Sequence, residues 1–245
     1  MKRHSKLMFA FLAIFALASA SCAKLQARDN LNKGVRAFRD AHYDNAIDFF
    51  KEAIKLDPEL TNAELYLATA YAQQVIPGSQ SEENQNNAEL AISTFENVLK
   101  REPENVSAFA GLASVFQSTY QFDKAREFYL KNALLDPTNP TPFYAVGSVN
   151  WIIVTNKNGP PPPEEQLRLI EEGQQNLDKA LQLNPEYDDA MTYKNLLFRE
   201  KARLTENEEE KTQLIAQADE WFNKALETRK KNQAKSQSTT GLETQ

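Results

Sequence analysis

The stretch Ala46–Pro58 reads AIDFFKEAIKLDP, and variants of it recur four more times along this chain of 245 residues. Each copy has a small residue, a large apolar residue four positions later and a second small residue three positions after that. In four of the five copies a proline follows five positions further on. The other copies are AISTFENVLKREP at 91–103, AREFYLKNALLDP at 125–137, GQQNLDKALQLNP at 173–185 and ADEWFNKAL at 218–226.

The spacing of the small and large residues predicts a helix in every copy. Intervals of four and three place the three side chains on one helical face, where the small ones let a neighbouring helix approach closely. A proline cannot continue the helical hydrogen-bond ladder, so it marks the end of the helix. The chain has only 7 glycines, and the short alternating apolar runs that indicate strands are hard to find. We therefore expect an all-α fold.

A second predicted helix precedes each copy, which makes five helical hairpins. These preceding helices cover Asn30–Arg39, Asn62–Gln73, Val106–Ser118, Thr141–Trp151 and Asp188–Lys201. The pattern of paired helices resembles the tetratricopeptide repeat (TPR) family over about residues 27–227. The resemblance implies a right-handed α-solenoid of about five hairpins, in which the first helices line a concave binding groove.

Three of the five hairpins carry insertions between their helices. Successive copies begin 45, 34, 48 and 45 residues apart, whereas a TPR unit has about 34 residues. In the first insertion we expect Ser81 to cap a helix that starts early. The second contains Pro160–Pro163, a stiff polyproline segment, and then Glu164 and Glu165, which favour a helix start. The third, Leu204–Lys211, is acid-rich and should extend both helices of the last hairpin.

The first residues have the parts of a bacterial secretory signal. Lys2, Arg3 and Lys6 form a positive stub, which the apolar run Leu7–Ala18 follows. This run is too short to span a bilayer, which needs about 20 apolar residues, but its length is typical of a signal peptide. We therefore expect the rest of the chain to be exported.

Two processing routes fit the residues after the apolar run. The ordinary signal peptidase would release a free periplasmic protein that begins at Ser21. The residues before Cys22, the only cysteine, also resemble the lipobox of bacterial lipoproteins, although Ser19 stands where that family usually has Leu. This resemblance implies that Cys22 is lipidated and anchors the protein. Ala23 behind it, rather than Asp, resembles signals routed to the outer membrane, where the protein would face the periplasm.

The predicted organisation has four parts. Residues 1–21 are the signal peptide, and residues 22–29 are the lipidated N-terminus with a short tether. The TPR solenoid occupies residues 30–227. The tail, 228–245, has no apolar periodicity and is rich in Lys, Gln, Ser and Thr. A segment of this composition cannot bury enough apolar surface to order itself, so we expect it to be disordered.

The charge balance excludes one class of partner. The formal net charge is −6, and removal of residues 1–21 takes away three basic residues and no acid, which leaves −9. A surface of this sign repels the phosphates of nucleic acids and anionic lipid headgroups. We therefore expect no nucleic-acid partner, and contact with a membrane only through the N-terminal lipid.

The sequence offers no set of residues for catalysis or for a metal site. It has two histidines, His4 in the signal peptide and His42 in the first hairpin turn. A single histidine is a poor metal-ligand set and a poor basis for nucleophilic catalysis. We find no Gly-rich phosphate loop. We expect a protein that is not an enzyme and that needs no cofactor.

The TPR resemblance implies which residues face a partner. By position, the groove would present Asn62, Leu65, Thr69, Ser114, Tyr144, Ser148, Trp151 and Arg199. Tyr144 and Trp151 are seven residues apart on one helix, so both rings share a face and could anchor a peptide or a helix. Alternatively, both rings only pack against the polyproline insertion.

Two functional hypotheses follow from these features. The first is a protein–protein interaction scaffold or assembly factor of the bacterial cell envelope, which binds an envelope or secreted protein through the groove. The second is a soluble periplasmic module that binds a small ligand or a glycan, with Tyr144 and Trp151 as a stacking platform.

Overall fold

The computed structural model describes residues 22–157 and 159–240, and their regular structure is entirely helical. The predicted all-α class is therefore confirmed. Helix α1 covers residues 22–39. The helices after it are α2 Tyr43–Leu56, α3 Thr61–Gln73, α4 Glu82–Arg101, α5 Val106–Ser118, α6 Phe122–Leu135, α7 Pro140–Val154, α8 Pro163–Leu183, α9 Asp188–Leu204 and α10 Glu208–Thr240. In the part of the chain described, no helix has the length and apolar character needed to cross a membrane.

The prolines of the repeat lie where helices end, as predicted. Helices α2, α4, α6 and α8 each stop two residues before one of them, at Pro58, Pro103, Pro137 and Pro185 respectively. Proline lacks the N–H that would continue the ladder, so the chain turns and the next helix begins. Asn105 and Asn139 then cap α5 and α7, because their side-chain oxygens accept hydrogen bonds from Ala108 N and Thr141 N.

The chain forms two compact units, with the boundary between Thr119 and Tyr120. The boundary separates α5 from α6, which the sequence assigns to one hairpin. In the first unit α3 packs against α2, α4 and α5, and α4 also packs against α5. In the second unit α7 packs against α6, α8 and α9, while α9 packs against α8 and α10.

The small and large residues of the repeat form the core as the spacing predicts, with two exceptions. The first small residue of every copy is buried, namely Ala46, Ala91, Ala125, Gly173 and Ala218. The large residues Phe50, Phe95 and Leu177 are at most 1% exposed. Their counterparts Tyr129 and Phe222 are only partly buried and 50% exposed, respectively.

Glycines allow the closest helix contacts in both units. A Cβ atom added to Gly34 in α1 would lie 2.4 Å from Cε1 of Phe50 in α2. A Cβ atom on Gly147 in α7 would lie 2.5 Å from Cγ of Leu177 in α8. Both distances are far below van der Waals contact, so these two hairpins close only because the side chain is missing.

The three insertions have the local structure that their residues predict, and in the third both helices are extended. Ser81 Oγ accepts a hydrogen bond from Asn84 N and caps α4, which starts early as expected. The polyproline segment leads into α8, and Glu164 and Glu165 lie in its first turn. In the third insertion α9 ends at Leu204, and Asn207 Oδ1 accepts hydrogen bonds from the first N–H groups of α10.

Both predicted ends of the solenoid need correction. The predicted signal peptide, 1–21, lies outside the described residues. Residues 22–29, predicted to be a tether, are helical in α1, where Ala27 is fully buried. The predicted disordered tail begins at 228, yet α10 continues to Thr240. Ion pairs rather than apolar contacts hold this extension, which is why apolar periodicity did not reveal it.

Candidate protein-binding surface

Four aromatic rings from α7, from α9 and from the turn before α9 form a cluster in the second unit. The rings of Tyr144 and Trp151 in α7 both meet Tyr193 of α9 edge-on, with centroid distances of 5.6 and 5.7 Å. Tyr187, just before α9, lies 4.9 Å from the ring of Tyr144. Tyr193 therefore joins the two α7 rings into one surface, and we call these four residues the aromatic surface.

The aromatic surface packs against the core on one side and is partly exposed to solvent on the other. Its four side chains are partly buried and pack against a core that includes Ile170, Leu177 and Leu197. Aromatic pairs in edge-to-face contact stabilise one another beyond the area they bury. The rings are therefore held in place before any partner arrives, which lowers the entropy cost of binding.

Burial raises the pKa of the phenol groups of this surface above the ordinary value of 10. Loss of hydration raises the pKa of Tyr144, Tyr187 and Tyr193, and the nearby carboxylate of Asp189 raises it further. Burial also raises the pKa of Tyr129 in α6 to about 12. A neutral phenol can donate and accept a hydrogen bond, so the surface combines apolar ring area with polar contacts for a peptide backbone.

A buried polar network that the sequence analysis missed fixes α7 behind the aromatic surface. Asn150 Nδ2 donates to Leu169 O at 2.8 Å and to Glu172 Oε2 at 2.9 Å. The guanidinium of Arg126 in α6 donates to both oxygens of the Glu172 carboxylate, at 2.8 and 2.6 Å. The network ties α6, α7 and α8 together, and a single Asn in the apolar stretch of α7 is its only sequence signal.

The basic end of α10 is fastened to the start of α9, beside the aromatic surface. Arg229 donates to the carboxylates of Asp188 and Asp189, at 2.6 and 3.0 Å. Lys231 and Lys235 each donate to Glu186, at 2.5 and 2.6 Å. Hydrogen bonds from these two ammonium groups lower the pKa of Glu186 to about 2.

The predicted groove residues fall into both units. In the first unit Asn62 and Ser114 are exposed, while Leu65 and Thr69 are partly exposed. The hydroxyl of Thr69 donates to Leu65 O at 2.8 Å, within α3. This half of the predicted set therefore offers small and polar groups and the apolar Leu65, but no aromatic ring.

The second unit requires one correction to the predicted set. Ser148 is only 5% exposed, and its hydroxyl donates to Ala145 O. It is therefore a packing residue of α7 and cannot contact a partner. Arg199 is exposed, and its guanidinium donates to Asn195 Oδ1 at 2.9 Å and to Asp219 Oδ1 at 2.6 Å.

The polyproline segment lines a different part of the second unit. A cavity of about 570 Å³ is bordered by Tyr120, Phe122, Ile153 and Pro161. Neither Tyr144 nor Trp151 borders this cavity, and their ring partners are tyrosines. The alternative that both rings only pack against the insertion therefore does not account for their contacts.

The repeat now has an independent match. A family model described as tetratricopeptide repeat matches residues 30–60, which span the end of α1 and all of α2. This match covers the first hairpin of the chain and supports a TPR repeat protein. In the part of the chain that the structure describes, no group of three His, Cys, Asp or Glu side chains could hold a metal ion. TPR scaffolds are generally not enzymes.

Known proteins share this fold over most of the chain. The structure resembles that of MamA from Desulfovibrio magneticus, with a TM-score of 0.61, 18% identity, and coverage of 84% of this chain and 96% of that chain. It also resembles YrrB, described as a TPR protein with an unusual peptide-binding site, with a TM-score of 0.55, 17% identity, and coverage of 82% and 90%. Identities this low show the fold alone.

One curated relative is similar in sequence over a shorter stretch. The human mitochondrial import receptor subunit TOM70 is 32% identical over 104 residues, which are 42% of this chain and 16% of the receptor. The chain thus spans only a small part of that protein's length. The TPR fold and these likenesses support a protein–protein interaction scaffold.

Proposed function

We propose that this TPR protein is a scaffold or assembly factor of the bacterial cell envelope that binds a partner protein through the aromatic surface. The observation that carries the proposal is the contact of Tyr144 and Trp151 with Tyr193, which gathers partly exposed rings on α7 and α9. Aromatic anchors in well-packed surroundings dominate the energy of protein interfaces.

The surroundings of the rings favour a peptide or helix over a sugar. Tyr193 crosses both α7 rings at steep angles, 70° to Tyr144 and 72° to Trp151. The rings therefore form a ridged surface that side chains of a partner can fill, rather than one flat face for a sugar ring. The alternative function, a periplasmic module for a glycan or small ligand, has less support. It would be favoured if sugars quenched tryptophan fluorescence.

The envelope location rests on the N-terminal residues. Residues 1–21 have the parts of an export signal, and Cys22 fits the position at which lipoproteins are acylated. The partner would accordingly be an envelope or secreted protein, and the only membrane contact would be the lipid. The net charge of −9 after removal of residues 1–21 disfavours nucleic acid. We propose no catalytic step and no cofactor.

The binding proposal is tested by affinity capture from envelope extracts. The intact chain is compared with the double variant Tyr144→Ala, Trp151→Ala, and with Tyr120→Ala, which removes an exposed ring that is not part of the aromatic surface. The affinity of the captured protein, once purified, should fall about a hundredfold in the double variant, because two anchors are lost. Equal affinity in all three chains would refute the proposal.

The lipid anchor is tested separately by metabolic labelling with a fatty-acid analogue. The intact chain should take up the label and fractionate with the outer membrane. Cys22→Ser should carry no label, because the acceptor thiol is gone, and should be recovered in the soluble periplasmic fraction. An unlabelled intact chain would contradict the anchor while leaving the binding proposal intact.

A further inference from the structure

Helix α10 leaves uncovered a position that other repeats bury. Phe222 in α10 corresponds to Phe50, Phe95 and Leu177, which are at most 1% exposed, yet it is itself 50% exposed. In α4 the ring of Phe95 lies against Gly111 of the following helix. Within the described residues no helix follows α10, so the ring of Phe222 has no such neighbour.

Charged and apolar side chains follow one another in a fixed order along the exposed side of α10. Asp219, Phe222, Leu226 and Lys230 follow one another at intervals of three or four, which places them on one side of the helix. Leu226 is 44% exposed, like its neighbour Phe222. The side therefore has an acid, two apolar groups and a base, in that order along the helix.

The charges of the whole helix repeat this order. Residues 208–220 carry a formal net charge of −4, and residues 229–240 carry +4. Two such helices packed antiparallel would set the acidic half of each near the basic half of the other, whereas parallel packing would oppose like charges. Arg229, Lys231 and Lys235 already pair with Glu186, Asp188 and Asp189, so Lys230 is the base that this arrangement uses. The centre of the antiparallel pair would lie between Phe222 and Leu226, so that the apolar groups of both copies meet.

We propose that α10 is a self-association surface, on which a second copy of this chain docks its own α10 antiparallel across a twofold axis. A twofold interface requires a surface complementary to itself, and the acid–apolar–base order supplies that property. A helix from an unrelated protein would need the same order by coincidence.

The ion pairs near this side of α10 leave Asp219 and Lys230 available to contact a second copy. Lys230 is exposed and has no ion-pair partner among the described residues. Asp219 contacts Arg199, but both side chains are about half exposed, and such surface pairs contribute little to stability. The adjacent Arg229 and Lys231 are held by acids at the start of α9, which keeps this half of α10 in place and directs Lys230 outward.

Site-specific cross-linking of the full chain in envelope membranes tests the second copy as occupant. Asn223→Cys lies beside the proposed axis and leaves the apolar groups intact, so a short thiol-specific cross-linker should join two copies. Leu134→Cys in α6, which is 81% exposed, is the matched control, and the unmodified chain corrects for Cys22. Dimer yield no higher than in either control, or adducts with another protein, would overturn the proposal.

Charge reversal distinguishes a twofold dimer through α10 from non-specific association. In sedimentation of the purified chain in detergent, Leu226→Glu should raise the dimer dissociation constant about a hundredfold, since each interface loses that side chain twice. Lys230→Glu should raise it about tenfold, and adding Asp219→Lys should restore it, because the reversed charges again face each other. Failure of the second change to restore dimers in chains of unchanged helicity would also overturn the proposal.

Discussion

Helices α3 and α7 open the second and fourth hairpins, yet their accessible sides differ. In α3 the hydroxyl of Thr69 bonds within its own helix, Leu65 is that helix's only large apolar member of the predicted groove set, and the exposed ring of Tyr66 stacks on Phe50. In α7 the rings of Tyr144 and Trp151 project toward Tyr193. The repeat explains the packing of both helices, whereas the rings of α7 have no packing role that the repeat requires. The difference locates the candidate binding surface on α7 and α9.

The two helices also differ behind their accessible sides. In α3 the buried Tyr71 comes three residues after Ala68, which is fully buried. In α7 Asn150 comes three residues after Gly147, which is closely packed. Asn150 joins a polar network, while the ring of Tyr71 lies near Lys51. The two hydrogen bonds of Asn150 Nδ2 to α8 favour one position of α7, although Asn150 Oδ1 is buried without a partner among the described residues.

The largest expected effect concerns what the hairpins share. Gly34→Val and Gly147→Val should each lower the free energy of unfolding by about 3 kcal/mol, because the added carbons have no space beside Phe50 or Leu177. Urea unfolding followed by circular dichroism measures this. Ala234→Val, on the exposed side of α10, should cost less than about 0.7 kcal/mol. Equal losses in all three variants would contradict the close packing.

The next effect separates α7 from α3. Asn150→Ala should lower the free energy of unfolding by about 2 kcal/mol, since two buried hydrogen bonds to Leu169 and Glu172 are lost. Thr69→Val in α3 should cost only about 0.5 kcal/mol, because the hydroxyl serves its own helix and lies near solvent. Urea unfolding measures both variants. Similar losses of unfolding free energy in both would mean that the Asn150 network does not stabilise α7 more than the Thr69 hydroxyl stabilises α3.

A third effect concerns binding rather than stability. Tyr193→Ala should weaken the affinity for the captured partner about tenfold, because this ring joins the two α7 rings. Tyr66→Ala in α3 removes a ring of the first unit that stacks on Phe50 and should leave the affinity unchanged. Calorimetric titration of both variants measures the difference. If Tyr66→Ala weakens binding as much, the comparison between the two helices fails.

The smallest effect is a pH dependence in the second unit. The pKa of Glu186 is lowered to about 2 by Lys231 and Lys235, so its contacts are fully present above the ordinary value of 4.5. They are lost as the pH falls through about 2, because the carboxyl group becomes protonated. The protection of the amides in residues 228–240, measured relative to their intrinsic exchange at each pH, should therefore fall between pH 5 and pH 2. Glu186→Gln should show low protection throughout, with no such change between pH 5 and pH 2.

Much of the fold could be predicted because the sizes and spacing of the residues in the repeat indicate how its helices pack. Ala46, Phe50 and Ala53 are spaced for one helical face, and all three are fully buried. Ser81 correctly predicted the start of a helix, and the prolines predicted helix ends. Both predictions hold because capping and helix termination depend only on neighbouring residues. The structure of α10 beyond Thr228 was missed because ion pairs with residues about 40 positions earlier hold it, and no local pattern encodes them.

The candidate site was only partly predictable. The heptad spacing of Tyr144 and Trp151 placed two rings on one face of α7, but Tyr193 and Tyr187 come from another hairpin and carry no repeat signal. Ser148 was assigned to the groove by position, although its side chain turns into the helix. Contacts between hairpins depend on how helices pack, which residue spacing within one helix does not specify.

The central claim, that partners bind on α7 rather than on α3, is tested most directly by photo-cross-linking in cells. A photoreactive phenylalanine analogue replaces Trp151 in one chain and Leu65 in another, each in the full-length protein. The account predicts a discrete adduct with a partner protein from position 151 and none from position 65. An adduct from position 65 with none from position 151 would contradict it.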